Sequence, residues 1–155
     1  MLRFFAYKRF GHQYKGNLKQ FLDNAAQKLN EQWKRQSKAI IEESELLEAA
    51  LSTTHAIFGD VGELRKWNGF AYEGRINRAV FDIMTYYFSD PEIAKAAIEN
   101  AEAVEAAFRG LCEDDAEFLS ALESTTKSLD ANTVRFSAWA DALNNILDTD
   151  LGTPM

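Results

Sequence analysis

Residues 18–57 read LKQFLDNAAQKLNEQWKRQSKAIIEESELLEAALSTTHAI, and the spacing of their apolar side chains decides the fold. Apolar residues fall at 18, 21, 22, 25, 29, 33, 40, 47, 51 and, just beyond, 58, with Ser44 and Thr54 continuing the row. Wound as an α-helix, these positions share an arc of roughly 120°, the width of one buried face. A helix over 18–57 would be about 60 Å long at the usual rise per residue. Asn17 stands in front of it as an N-cap, and Ser37 or Ser44 marks a place for a break. The pattern predicts an all-α protein, an irregular bundle of about five to six helices built around one long N-terminal helix.

Upstream, Leu2-Arg3-Phe4-Phe5-Ala6-Tyr7-Lys8-Arg9-Phe10 forms an apolar-basic segment, closed by Gly11 and Gly16. Downstream, Gly59, Gly62, Gly69 and Gly74 fall in sixteen positions and predict a loop over 59–74, anchored to the core by Leu64, Trp67 and Phe70. Helical spacing returns from Arg75 to Phe88 through Ile76, Ala79, Val80, Ile83, Met84 and Tyr87. Asp90-Pro91 then reads as an N-cap followed by proline in the first turn, opening a helix to about Leu111. Asp114 or Asp115 restarts a short helix holding Phe118, Leu119 and Leu122, and Thr133 caps a last one carrying Val134, Phe136, Trp139, Leu143, Ile146 and Leu147. Residues 1–155 are expected to form a single helical domain, with 1–16 as its N-terminal apolar-basic segment and 150–155 as a frayed tail.

Composition removes several classes. The 155 residues are 46% apolar and 12% aromatic, enough for a sizeable core, while 8 Gly and 2 Pro are too few for a turn-rich β-sandwich. One cysteine excludes an internal disulfide framework and a Cys-based zinc site. No run of about 18 apolar residues is present, and the N-terminus lacks the apolar core of a signal peptide. The expectation is a cytoplasmic protein with no membrane contact.

The net charge of −7 is unevenly spread. Residues 1–38 carry nine bases against Asp23 and Glu31, a local +7; residues 79–155 carry four bases against fifteen acids, a local −11. Such asymmetry points to an electrostatically steered interface or to a partner of opposite pattern, and the acidic half opposes phosphate backbones. Direct nucleic-acid binding is expected to be weak or absent. Lys28, Lys34, Arg35 and Lys38 share a face with Glu31, Glu42 and Glu45 and read as a solvated, ion-paired surface. Arg3, Lys8, Arg9, Lys15 and Lys19 have only Asp23 among them and are better placed to meet a phosphate or an acidic partner.

Chemistry-bearing patterns are few. His12 and His55 have no Glu three residues before them, so a di-iron carboxylate site is excluded and no metal is expected. Cys112 precedes Glu113-Asp114-Asp115, acids that raise a thiol pKa, and reads as a packing residue. The glycines of 59–74 match no phosphate-cradling pattern. Tyr86-Tyr87-Phe88 reads as core plus rim rather than as a base-stacking platform. Arg75, Asn77 and Arg78 open a helix, where free backbone N–H groups favour anions; they could clamp a carboxylate or pair with the acids of 113–117. No catalytic residue is identified.

Four segments carry a resemblance: Leu2-Arg3-Phe4-Phe5-Ala6; Phe58-Gly59 with Trp67; Gly74-Arg75-Ile76-Asn77-Arg78-Ala79-Val80-Phe81-Asp82; and Arg135-Phe136-x-x-Trp139-x-x-x-Leu143. Their succession, from residue 2 to about 147, resembles the helical C-terminal half of the GmrSD-type restriction and defence proteins, which have a ParB/sulfiredoxin-like N-terminal domain. In that family the N-terminal half carries an Asp-Gly-Gln-Gln-Arg motif associated with nucleotide hydrolysis, and many members add a His-Asn-His nuclease domain. Neither motif is present in this sequence. Met1 falls where that half would already have ended, so the resemblance implies a fragment or a truncated or split gene product. It carries over no catalytic residue and no cofactor. Arg75, Asn77, Arg78, Arg135 and Trp139 carry over only as conformational or domain-packing positions, with Trp67 and Phe136 beside them. The implied role is a non-catalytic scaffold or interaction domain, associating with a ParB-like partner or with a second copy of itself. The alternative is a self-contained helical adaptor that binds a protein through its basic N-terminal segment.

Overall fold

In a computed structural model of the chain, residues 1–123 and 128–155 are described. Seven α-helices are present among them: α1 Leu2–Phe10, α2 Leu18–Gly62, α3 Arg78–Phe88, α4 Pro91–Glu99, α5 Ala101–Asp114, α6 Ala116–Glu123 and α7 Leu129–Leu147, with a 3₁₀ turn at Gly11–Gln13. The fold is all-α, organised around the long second helix.

Asn17 caps α2, its side chain accepting from the Gln20 N–H at 3.1 Å. The break expected near Ser37 or Ser44 falls at Gln36 (φ −129°, ψ 18°), whereas Ser44 stays helical and donates to the Ile41 carbonyl at 2.6 Å. The kink divides the work of the apolar face. Phe21 and Ala25 join the main core with Tyr7 and Tyr14, while Ile40 and Leu47 close over Phe4 and Phe5 in a smaller cluster. Regular helical geometry ends at Gly59, whose φ of +63° is costly for any residue with a Cβ.

The described residues form seven helices, where about five to six were expected. Residues 2–10 are a helix with Phe4, Phe5, Ala6, Tyr7 and Phe10 buried, packed against α2 and α3 and against Phe136 of α7. A helix covered on several sides shows no single apolar stripe. The helix expected from Asp90 to Leu111 is two, divided at Asn100 (φ −116°, ψ 29°), whose side-chain amide donates back to the Ala96 carbonyl at 2.9 Å. Asp90 and Pro91 open α4 as expected, Asp90 accepting from the N–H groups of Glu92 and Ile93. Asp115 caps α6 through the Phe118 N–H at 2.9 Å. Helix α3 begins at Arg78 rather than Arg75, and α7 is capped by Ser128, not Thr133, whose hydroxyl donates to the Leu129 carbonyl inside the helix.

One core cluster draws on all seven helices, with Trp139 packed edge-on against Phe88 and Phe108. The tail, expected to fray, lies against the core. Asp148 ends α7 in the left-handed conformation, and the Asn144 side chain accepts from the Leu151 N–H at 2.7 Å and donates to the Leu151 carbonyl. The Tyr87 hydroxyl donates to the Gly152 carbonyl at 2.9 Å, Leu151 and Met155 pack on the core, and Pro154 lies so close to Gly11 that a Cβ there would fall 2.6 Å from it.

Candidate functional site

Three of the four resembling segments, distant in sequence, meet at one place, and the remaining one contributes Trp67 to another. The first is a buried polar network. Asp82 sits on the apolar side of α3 between Val80, Ile83 and Met84, with no exposed side-chain surface. Arg3 of α1 grips it from one side, Nε donating to Oδ1 at 2.8 Å and the terminal nitrogen to Oδ2. Arg135 of α7, also fully buried, donates to the same Oδ2 at 3.2 Å and to Asn132 Oδ1 at 2.6 Å, which also accepts from the Tyr7 hydroxyl. Burial pushes the Asp82 carboxyl upward, and the hydrogen bonds and charges of Arg3 and Arg135 oppose it. The Tyr7 phenol is also pushed upward, by burial first and then by the Asp82 charge. With its carboxylate sealed from solvent, this network ties α1, α3 and α7 together; it presents no open group to a ligand.

Of the other N-terminal bases expected at an anion or partner contact, Lys8 and Arg9 also have internal partners. Lys8 donates to Ser89 Oγ at 2.9 Å and lies 5.7 Å from the Tyr86 ring centre. Arg9 pairs with Glu43 at 2.7 Å and donates to Gln32 and Gln36. Lys15 and Lys19 are exposed.

At the start of α3, Asn77 itself caps the helix, accepting from the N–H groups of Ala79 and Val80 and donating to the Leu122 carbonyl at 3.1 Å. Two of the N–H groups that would meet an anion, those of Ala79 and Val80, are therefore taken by the chain. Arg75 and Arg78 are exposed, and among the described residues neither pairs with the acids of 113–117.

The second place is a short hairpin over 66–73, within the expected loop. The Glu73 N–H donates to the Lys66 carbonyl at 2.9 Å, and the Asn68 N–H to Ala71 at 3.1 Å. At the tip, Asn68 Oδ1 accepts from the N–H groups of both Phe70 and Ala71, and Gly69 takes the positive φ (+92°) that the turn needs. Trp67 and Tyr72 face each other across the hairpin with ring centres 5.1 Å apart. Helix α5 clamps this pair. The Arg109 guanidinium lies 4.3 Å from the Trp67 ring centre and 5.2 Å from that of Tyr72, Glu105 accepts from the Tyr72 hydroxyl at 2.9 Å, and Glu113 accepts from the Trp67 indole N–H. Lys66, buried at the base, is held by Glu73 at 2.9 Å and by Glu123. Burial alone would lower its ammonium pKa; the two carboxylates reverse this and hold it above the ordinary value. Leu64 and Trp67 anchor the loop as expected. Phe70 does not: it stands 94% exposed at the tip, with Val61 and Ile76 also exposed nearby in the chain.

Among the described residues, no group of three His, Cys, Asp or Glu side chains is placed to hold a metal ion. His12 is exposed, and His55 lies 3.3 Å from Glu63 on the outside of α2. Tyr87 and Phe88 are buried and Tyr86 forms their rim. The Cys112 thiol is pushed up to about 11, chiefly by burial, with the charges of Glu113 and Glu123 adding to the shift. A buried thiol with so little thiolate should alkylate slowly. At pH 8, iodoacetamide is expected to label Cys112 in the folded protein on the order of a hundredfold more slowly than in denaturant; equal rates by mass spectrometry would refute the assignment.

Asp82, Asn132, Tyr7 and Glu43 escaped the sequence reading. For Asp82 the signal was present: a carboxylate amid Val80, Ile83 and Met84 on the buried face of a helix requires a cationic partner. Compared with protein-family models, with curated proteins and with solved structures, the chain matches none.

Proposed function

We propose that this chain is a non-catalytic helical interaction domain, similar in role to the helical half of GmrSD-type defence proteins, and that it docks on a protein partner through the 66–73 hairpin. One observation carries the reading. A loop held by an ion pair, a cation–π stack and side-chain hydrogen bonds presents at its tip a phenylalanine that buries almost nothing of its own. An aromatic side chain fixed in advance loses little freedom on binding, and covering it contributes about 1.5–3 kcal/mol. Exposed Arg75, Ile76 and Arg78 follow in sequence and supply an apolar and cationic rim suited to an acidic partner surface.

The resemblance names the partner class: a protein bearing the Asp-Gly-Gln-Gln-Arg nucleotide-hydrolysing domain, in the cytoplasm, with no cofactor held by this chain. No helix among the described residues is long and apolar enough to cross a membrane. The alternative, an adaptor binding through Arg3–Lys19, rests on the exposed Lys15 and Lys19, since Arg3, Lys8 and Arg9 have partners inside the fold.

The test is affinity capture from native host lysate with wild-type and Phe70→Ser proteins. Phe70 is a surface residue, so the substitution should leave stability within about 0.5 kcal/mol. Wild type is expected to retain a protein with the Asp-Gly-Gln-Gln-Arg motif and Phe70→Ser to lose it. Equal retention by both would move the docking surface elsewhere, and capture by wild type of unrelated proteins alone would reject the family role.

A further inference from the structure

Between α5 and α7 runs an open groove of about 700 Å³. Leu111, Ala138 and Ile146 line its apolar floor, and Asp114, Glu117 and Asp141 stand on its rims. No lysine or arginine is found among the described residues that line it. A groove with a half-exposed apolar floor and only anionic rims fits an amphipathic helix carrying cations beside its apolar residues.

The chain itself displays such a helix. Around the kink of α2, Trp33 is 49% exposed and Ile41 50% exposed, both unusually open for apolar residues of a core-forming helix. Lys34 and Arg35 are exposed beside Trp33 and form no ion pair among the described residues. Lys38 meets only Glu42, at 3.7 Å, with its side chain 92% exposed. The regional charges of +7 over 1–38 and −11 over 79–155 have the same complementarity on a larger scale.

We propose that these two surfaces fit each other between copies of the chain: the Trp33–Ile41 stretch of one protomer lies in the α5/α7 groove of a second. Trp33 covers the apolar floor, and Lys34, Arg35 and Lys38 face the rim acids. Because each copy carries both surfaces, one copy both offers the α2 stretch and receives it, so the contact either closes as a pair or repeats from copy to copy. This interface is separate from the Phe70 tip and stands or falls without it.

The mass in solution tests it, by sedimentation equilibrium over a concentration series at low and high salt. Wild type is expected to reach at least twice the 17.5 kDa of one chain at low salt and to dissociate as salt screens the rim charges. Lys34→Glu with Arg35→Glu, and separately Asp114→Lys with Asp141→Lys, should each weaken association at least about tenfold. All four positions are exposed, so both variants should fold, as circular dichroism would show. Mixing the two variants should restore the pair, since each now offers what the other's altered surface needs. A wild type that stays monomeric throughout, or an association indifferent to both reversals, overturns the proposal, as does failure of the mixture to recover what both variants have lost.

Discussion

Asp82→Ala is expected to remove about 3–5 kcal/mol of stability, a large share of the roughly 5–15 kcal/mol that holds a domain of this size together. The carboxylate pairs with both the Arg135 and the Arg3 guanidinium groups. Without it, two guanidinium charges face one another inside the fold, one of them with no exposed surface at all. That penalty, more than the pair's net attraction, sets the size of the effect, because breaking a buried ion pair leaves the desolvation of the survivors uncompensated. Arg3→Met should cost less, since Asp82 keeps Arg135 and the remaining pair is balanced. Urea unfolding of both variants checks the ranking. A loss below about 1 kcal/mol for Asp82→Ala, or a larger loss for Arg3→Met, would show that the network is not the lock between α1, α3 and α7.

Trp139→Ala is the second large effect, at about 3–5 kcal/mol. The indole has no exposed surface and lies with its ring centre 6.3 Å from Phe88 and 5.7 Å from Phe108, both edge-on, so truncation opens a cavity where α3, α5 and α7 meet. Trp139→Phe should be far milder. Among the described residues the indole Nε1 has no hydrogen-bond acceptor, and removing an unsatisfied buried donor offsets part of the lost packing. Denaturant midpoints should therefore place Trp139→Phe close to wild type and Trp139→Ala far below it. Equal losses would mean that the indole N–H is satisfied after all.

Much of this fold was legible wherever a residue pattern had one meaning. The long helix followed from a single apolar stripe, its start from Asn17, and the opening of α4 from Asp90-Pro91. Where several meanings were open, the reading failed for physical reasons. Helix α1 buries neighbouring residues on several sides, which erases the period. Asn100 interrupts an Ala/Glu-rich run that contains no proline and no glycine at the break. Leu151 and Met155 sit in a polar tail whose burial depends on Asn144 and Tyr87, residues outside that tail. The loop proposed for docking was half visible. Trp67 was placed as an anchor, but Phe70, three residues on, looked the same by composition; only the turn at Gly69 sends one aromatic inward and leaves the other outside.

The bonds of Tyr7 to Asn132 and to Arg135 join positions 125 and 128 residues apart. A ribosome makes a chain from its N-terminal side, so α1 is synthesised before α7 and its bonds to Asn132 and Arg135 must wait for that helix. Until residues 132–136 have left the exit tunnel, the nascent protein carries Tyr7 without Asn132 and Phe136, and Arg3 without the complete network that receives it. Synthesis therefore passes through an interval in which the Tyr7 face of α1 is open to chaperones and to neighbouring nascent chains, and it closes only when α7 joins the fold.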